Sequence, residues 1–394
     1  MKTYKTDQIR NIALLGNAGS GKTTLSEEMA YRGGVIERKG KVESKNTLSD
    51  YNEVEHEHLN SVYSSILYTE FEDHKINMID TPGSDEFIGQ VVAGFNAADS
   101  GVMLINSQSG VEVGTEIQSR YAEKHDMPLI LAVNQLDHEK ANFEKTLESI
   151  KQNFGTKAVV VQYPINPGTE LEGIIDVLKM KMYKYNKDKD AVEVLDIPED
   201  QKSKADEYHN ALVESAAEND EQLMELYFEK ESLDEDEMRS GVKAGMKARG
   251  LFPIFCIAGE KGIGVKRLMD FINKCAPSPA DRPAIQTVEG QEVPIDENGP
   301  TSLFFFKTFN ESHIGDINYF KVMSGKVSEG MDLVNSENQN KERLSQIYIA
   351  AGKKRTKVPE LVAGDIGVAV KLKDTGINQT LNQAKTDYKF PSIE

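Results

Sequence analysis

Gly16-Asn17-Ala18-Gly19-Ser20-Gly21-Lys22-Thr23, followed by Thr24, fits the pattern G-x-x-x-x-G-K-[ST]. The apolar run Asn11 to Leu15 before it reads as a strand, and the amphipathic run opening at Lys22 reads as a helix. Glycines in such a turn let successive N–H groups point at phosphate oxygens, and the helix N-terminus adds its positive end. Lys22 is then placed to neutralise the outer phosphates and the Thr23 hydroxyl to ligate Mg2+. The bland alternative is a glycine-rich turn that binds nothing, but such a turn has no use for the Lys-Thr pair.

Outward from this turn, apolar runs alternate with amphipathic ones: Lys75 to Ile79 with a helix from Asp85, then Gly101 to Ile105, then Leu129 to Val133. That alternation predicts a doubly wound, mostly parallel α/β sheet. Ser64 to Phe71 alternates in polarity, and the turn Glu72-Asp73-His74 makes it an antiparallel edge strand. The long polar stretch Gly33 to Asn60 has the length of a functional or mobile loop.

Two more motifs sit at predicted strand ends. In Asp80-Thr81-Pro82-Gly83, Asp80 would hold Mg2+ through water and the Gly83 N–H would approach the γ-phosphate. In Asn134-Gln135-Leu136-Asp137, the carboxylate can accept from both N1–H and the exocyclic amine of guanine. Adenine offers neither donor, and a buried charge left unpaired discriminates by about 10⁴ or more. Alone, the first motif is a common turn and the second a helix cap. In order, each at the end of a strand where such sheets bind ligands, they favour a guanine nucleotide over the ATP of a P-loop kinase.

At 394 residues the chain has room for about two or three domains. With 39% hydrophobic and 28% charged residues it is globular in composition, and no apolar run is long enough for an anchor or signal peptide. Cys256 and Cys275 lack metal-ligand spacing and read as reduced core residues, so the expected compartment is the cytoplasm. The net charge of -18 argues against sequence-independent grip on nucleic acid. Residues 191–240 hold 17 acidic against 4 basic side chains, whereas residues 301–394 hold 13 basic against 11 acidic. An acidic body is therefore followed by a near-neutral module able to meet RNA.

From about Val159 the pattern changes to short strands and three acidic amphipathic stretches, until Phe252 to Ala258 resumes as a buried strand with a helix from Val265 to Asn273. Residues 158–250 read as an insertion into a domain spanning 1–281. Pro277, Pro279 and Pro283 mark the exit. In residues 282–394, short alternating segments between glycine turns predict an all-β barrel.

The ordered motifs, with Glu55-His56-Glu57-His58 before the hairpin, resemble a translational GTPase. Leu195-Asp196-Ile197-Pro198-Glu199-Asp200, His313-Ile314-Gly315, Lys341-Glu342-Arg343 and Ala363-Gly364-Asp365-Ile366 narrow the resemblance to elongation factor G. It covers that family's GTPase domain and second domain, and the family has three further domains. The resemblance implies a cytoplasmic, monomeric, GTP/GDP- and Mg2+-binding factor that acts on the ribosome in tRNA and mRNA translocation. It also implies that the insertion meets stalk proteins and the barrel meets rRNA. A ribosome-protection factor and a non-catalytic pseudo-GTPase module are alternatives within reach of the same domains.

Set against that family, several positions differ. Its catalytic histidine is Ser84, whose hydroxyl cannot titrate near neutrality, a loss worth about 10² to 10⁴ in rate. The apolar pair flanking that histidine falls on Ala18 and Asn60, the P-loop aspartate on Gly19, the N-K-x-D lysine on Gln135, and the serine of the serine-alanine pair on Ile257 before Ala258. Ser61 stands for the switch threonine and keeps a hydroxyl for Mg2+. These changes fall on the chemical step and spare Gly21, Lys22, Thr23, Asp80 and Asp137, so the expectation is nucleotide binding with hydrolysis weakened or lost. His56 and His58 lack a third ligand at fixed spacing, which disfavours zinc. Lys353-Lys354-Arg355 with Lys357 is the candidate rRNA contact, against the plainer reading of a solvated hairpin tip.

Overall fold

The computed structural model describes residues 2–58, 60–186 and 192–393. In the first unit the order is β1 (Ile9–Leu15), α1 (Lys22–Arg32), α2 (Glu53–His58), β2 (Ser65–Phe71), β3 (His74–Asp80), α3 (Ile88–Ala97), β4 (Ser100–Asn106), α4 (Val113–Lys124), β5 (Leu129–Asn134), α5 (Phe143–Phe154) and β6 (Ala158–Val160). There follow β7 (Gln162–Ile165), β8 (Gly173–Asp176), β9 (Lys181–Tyr185), β10 (Val192–Leu195), α6 (Lys202–Ala217), α7 (Glu221–Lys230), α8 (Glu235–Lys247), β11 (Phe252–Cys256) and α9 (Val265–Cys275). The main sheet runs β2-β3-β1-β4-β5-β11-β6, all parallel except the β2 edge, which pairs antiparallel with β3. β1 is buried at every position. It is central because β3 and β4 lie on either side of it, so the turn that follows β1 opens at the topological switch point.

Two sequence expectations change in detail. Ala158–Val160 pairs with β11 in the main sheet, so the chain leaves that sheet at Val161 rather than at residue 158. The departing segment forms its own antiparallel sheet, β10-β9-β8-β7, backed by α6 to α8. After Gly83 the backbone makes a 3-10 turn, Asp85–Phe87, before α3 begins at Ile88.

The second unit holds β12 (Ile285–Gln286), β13 (Glu292–Val293), β14 (Ser302–Glu311), β15 (Gly315–Ser324), β16 (Lys326–Ser328), β17 (Met331–Asn335), β18 (Lys341–Leu344), β19 (Ile347–Ala351), β20 (Lys354–Val358), β21 (Glu360–Val362), β22 (Ile366–Val370) and β23 (Thr380–Asn382). It is the all-β module expected, and its eight-stranded antiparallel sheet, β18-β17-β23-β14-β15-β22-β19-β20, makes a half-barrel. The two outer strands are short and charged, Lys341-Glu342-Arg343 on one and Lys354-Arg355 with Lys357 on the other, and charge on an open edge discourages further pairing. Arg355 is spent on a bidentate ion pair with Glu311 at 2.8 to 2.9 Å, and Lys357 pairs with Glu329 at 2.7 Å. Lys353, Lys354 and Lys357 of that basic cluster are exposed, and Lys357 is held by its ion pair.

The two units exchange charges where they meet. Lys75 of β3 reaches Asp365 beside β22 at 2.9 and 3.0 Å, and Lys321 of β15 reaches Asp99 before β4 at 2.8 Å. Asn77 and Asn11 join the pairs into one network: Asn77 donates to Asp365 and Asn11, and Asn11 donates to Asp99 and the Gly364 carbonyl. All six side chains are buried. Removing one partner of such a pair leaves the other charge buried and unpaired. Asp365→Ala is therefore expected to cost about 3–5 kcal/mol in chemical denaturation, whereas Lys75→Met with Asp365→Leu recovers most of the loss. A single-variant cost under about 1 kcal/mol would mean that the pair is solvated.

Candidate nucleotide-binding site

The turn after β1 needs its glycines. Gly16 and Gly21 have φ of 134° and 95°, and a Cβ there would stand 2.5 Å from the Leu104 carbonyl oxygen and 2.4 Å from Asn134 Nδ2. Lys22 Nζ donates to the carbonyls of Gly16 and Asn17 at 2.8 and 2.9 Å, so the loop wraps its own lysine. Burial pulls the Lys22 ammonium down to about 8, against the attraction of Asp80 and Asp50. Thr24, one residue further along α1, is half-buried.

Thr23 Oγ1 donates to Asp80 Oδ2 at 2.8 Å and lies 3.2 Å from Ser61 Oγ, which in turn donates to Asp50 Oδ1 at 2.7 Å. Thr23, Ser61 and Asp80, distant in sequence, thus meet at one point. Asp50 joins them there, although no motif spacing singles it out; an acid in the long polar segment was the only trace. Two buried glutamates hold this segment. Glu27 accepts from the N–H groups of Gly40 and Leu48, and Glu55 from those of Val62 and Tyr63. The His56 ring Nε2 hydrogen-bonds the Asp50 carbonyl at 2.9 Å.

The donors around Thr23 are all oxygen, the set that suits Mg2+. Asp80 Oδ1 and Ser20 Oγ are buried with no hydrogen-bond partner; water on a hydrated cation would donate to the carboxylate oxygen, and a phosphate oxygen would accept from the hydroxyl. Burial raises both Asp50 and Asp80 above the usual carboxylate range, with repulsion from neighbouring acids adding to the rise and Lys22 opposing it.

Gly83 lies against the P-loop, where a Cβ would stand 2.5 Å from the Ala18 nitrogen and 2.6 Å from Lys22 Nζ. Gln118 of α4 ties the two turns together, accepting from Gly16 N at 2.7 Å and donating to the Pro82 carbonyl at 3.2 Å. Asn17 Oδ1 accepts from the Gly114 N–H at 3.2 Å. Gln118 and Gly114 carried no sequence signal. Ser84 caps the 3-10 turn with extended backbone and makes no side-chain capping bond, and it is half-buried. Ala18 and Asn60 are exposed, so neither builds an apolar gate beside it.

At the far end, Asn134 Nδ2 donates to the Ser20 carbonyl at 2.8 Å and its Oδ1 accepts from Gly259 N at 3.0 Å. Gln135, at φ 61°, donates to the Gly19 carbonyl at 2.9 Å, while Gly19 itself faces open space. Asp137 pairs with Lys261 at 2.8 Å, a partner the sequence reading missed. Ile257 and Ala258 are buried and present backbone: the Ile257 carbonyl accepts from Leu136 N at 3.5 Å.

Residues 7–278 match the family model of the elongation factor Tu GTP-binding domain, and residues 300–384 match that of elongation factor G domain 2. The fold is similar to a crystal structure of a Thermus thermophilus protein, with a TM-score of 0.87 and 27% identity over 96% of this chain. The chain spans 55% of that protein's chain.

The carboxyl pair sets a pH dependence. Asp50 and Asp80 bind protons more readily folded than unfolded. Their contribution to stability is therefore full below the ordinary aspartate value of 3.8 and is lost as pH rises towards about 7. Thermal unfolding of the ligand-free protein between about pH 5 and about pH 8 should show this fall, flattened in Asp50→Asn and diminished by Mg2+. An unaltered slope in Asp50→Asn would place its origin elsewhere.

Proposed function

The chain belongs to the elongation factor Tu-type GTP-binding family and carries an elongation factor G type of second domain, and on that premise we propose that it binds GTP and GDP with Mg2+ and works on the ribosome in tRNA and mRNA translocation, with hydrolysis weakened or lost. The observation that carries the reading is the convergence of three separate strand ends: Gly83 lies on Ala18 and Lys22, Asn134 on Ser20, and Gln135 on Gly19. A nucleotide laid along this line would meet Lys22 and the P-loop amides at its phosphates and Asp137 at its base. Thr23 and Ser61 would hold the cation directly and Asp80 through water, and the cation supplies charge neutralisation at the outer phosphates.

Weak turnover follows from Ser84. A neutral hydroxyl orients water without moving its proton, and no other titratable side chain in the Gly83 turn replaces a histidine: Asp85 and Glu86 sit in the 3-10 turn beyond it. The binding sites for rRNA and stalk proteins belong to the same reading. Lys353 and Lys354 at the β19–β20 tip and the acidic faces of α6 to α8 are the surfaces it assigns to them. Among the described residues no helix is long and apolar enough to cross a membrane.

Calorimetry with Mg2+ tests the base and phosphate assignments together. GTP and GDP should bind at micromolar levels or tighter, ATP should fail to displace them, and Lys22→Ala should abolish binding. Displacement by ATP would refute the role of Asp137. Turnover is tested separately: ribosome-stimulated phosphate release should lie about 10² to 10⁴ below that of an ordinary elongation factor, and Ser84→His should raise it. Release at the ordinary rate in the unmodified protein would overturn the loss of catalysis.

A further inference from the structure

Lys307 belongs to the half-barrel, yet its ammonium group ends in the GTPase domain. Nζ donates to the Ser64 carbonyl at 2.7 Å and to Gln90 Oε1 at 3.1 Å. Those two acceptors are themselves joined, since Ser64 N and Oγ donate to Gln90 Oε1 and the Ser64 hydroxyl donates to the Gln90 carbonyl at 2.6 Å. Ser64 stands three residues after Ser61, which lies at the cation point, and Gln90 stands on α3, the helix that follows Gly83 and Ser84. The two chain segments whose positions would answer to a third phosphate therefore finish on one lysine from the neighbouring domain.

The strand is shaped to deliver it. β14 pairs with β15 as Phe305 with Phe320 and Lys307 with Tyr319, leaving Phe306 as a bulge. Ser302 to Lys307 are buried at every position, so this part of β14 is covered on both faces, and the extra residue at Phe306 re-aims the side chains that follow it. Two residues on, Phe309 meets the same segment edge-on, with ring centroids 5.5 Å from Tyr63 and 6.5 Å from Tyr51. Burial pulls the Lys307 ammonium down to about 8, against the attraction of Glu55.

We propose that Lys307 is a positioning residue through which the half-barrel favours the triphosphate over the diphosphate: it holds the Ser61 and Gly83 segments in the arrangement that a third phosphate and its cation require. GDP makes no demand on either segment, so the interaction separates the two nucleotides. By linkage, a ligand that repositions the half-barrel would change the preference for GTP by the same factor that GTP changes its own binding. The inference rests on the guanine-nucleotide reading above.

The test is calorimetry of the whole chain with Mg2+, using GDP and a non-hydrolysable GTP analogue, on the unmodified protein, Lys307→Met and Lys307→Arg. Lys307→Met should weaken the analogue about fivefold or more beyond any change for GDP, and Lys307→Arg, which keeps a donor, should restore part of the difference. Gln90→Ala removes one acceptor without disturbing the half-barrel and should shift the ratio in the same direction, which keeps the test open if Lys307→Met folds poorly. Equal losses for both nucleotides, or none, with only a lower Tm, would make Lys307 a structural tie and overturn the proposal. Absence of binding in the unmodified protein would instead bring down the nucleotide reading and the proposal with it.

Discussion

The reciprocal pairs Lys75 with Asp365 and Lys321 with Asp99 fix everything else in the molecule, because each unit gives one cation and one anion to the other. A buried charge whose partner is displaced loses several kcal/mol, so sliding or rotating the half-barrel would break both pairs together. The network also reaches the nucleotide strands. Lys75 and Asn77 lie on β3, which ends at Asp80, and Asn11 lies on β1, which runs into the P-loop. The orientation of the half-barrel is thereby set against the same two strands that present the phosphate-binding turns.

Between those fixed bodies, the described residues of the stretch 40–64 are held by the short helix α2, a few backbone turn bonds and side chains reaching to their backbone. Glu27 and Glu55 supply acceptors for N–H groups that no ladder pairs, and from the half-barrel come Phe309, Lys307 and the close approach of Gly352 to the Leu48 carbonyl. Buried polar groups must be paired, and outside α2 side chains supply much of that pairing. Ser61 sits near the end of this stretch, so its place at Thr23 depends on all of these supports.

The chemistry of the site divides along the same line. Binding groups stand on the rigid turns after β1, β3 and β5, whereas the groups that would act on water stand on the turn after Gly83 and on the loop near Asn60. Substitutions at Ser84, Ala18 and Asn60 leave the first set intact. On the proposed reading, such a protein would keep the means to hold a nucleotide and would lack a proton acceptor.

The three motifs, the mostly parallel sheet with its antiparallel edge and the all-β second unit were legible in the sequence because local periodicity and glycine requirements leave few alternatives. Each motif is a short turn whose geometry is set by its own residues. Asp50, Lys261, Gln118 and Lys307 were not legible, since each acts through a partner tens or hundreds of residues away and none sits in a pattern of its own. Whether the outer strands of the second unit meet was hidden for a related reason: alternation shows which face is buried but not how far the sheet closes, and the charged edges β18 and β20 stay apart. Lys75 and Lys321 carry no signal of their own within their strands. Only the tertiary structure, by bringing a carboxylate of the opposite unit to each, turned them into the buried charges that hold the two domains in one arrangement.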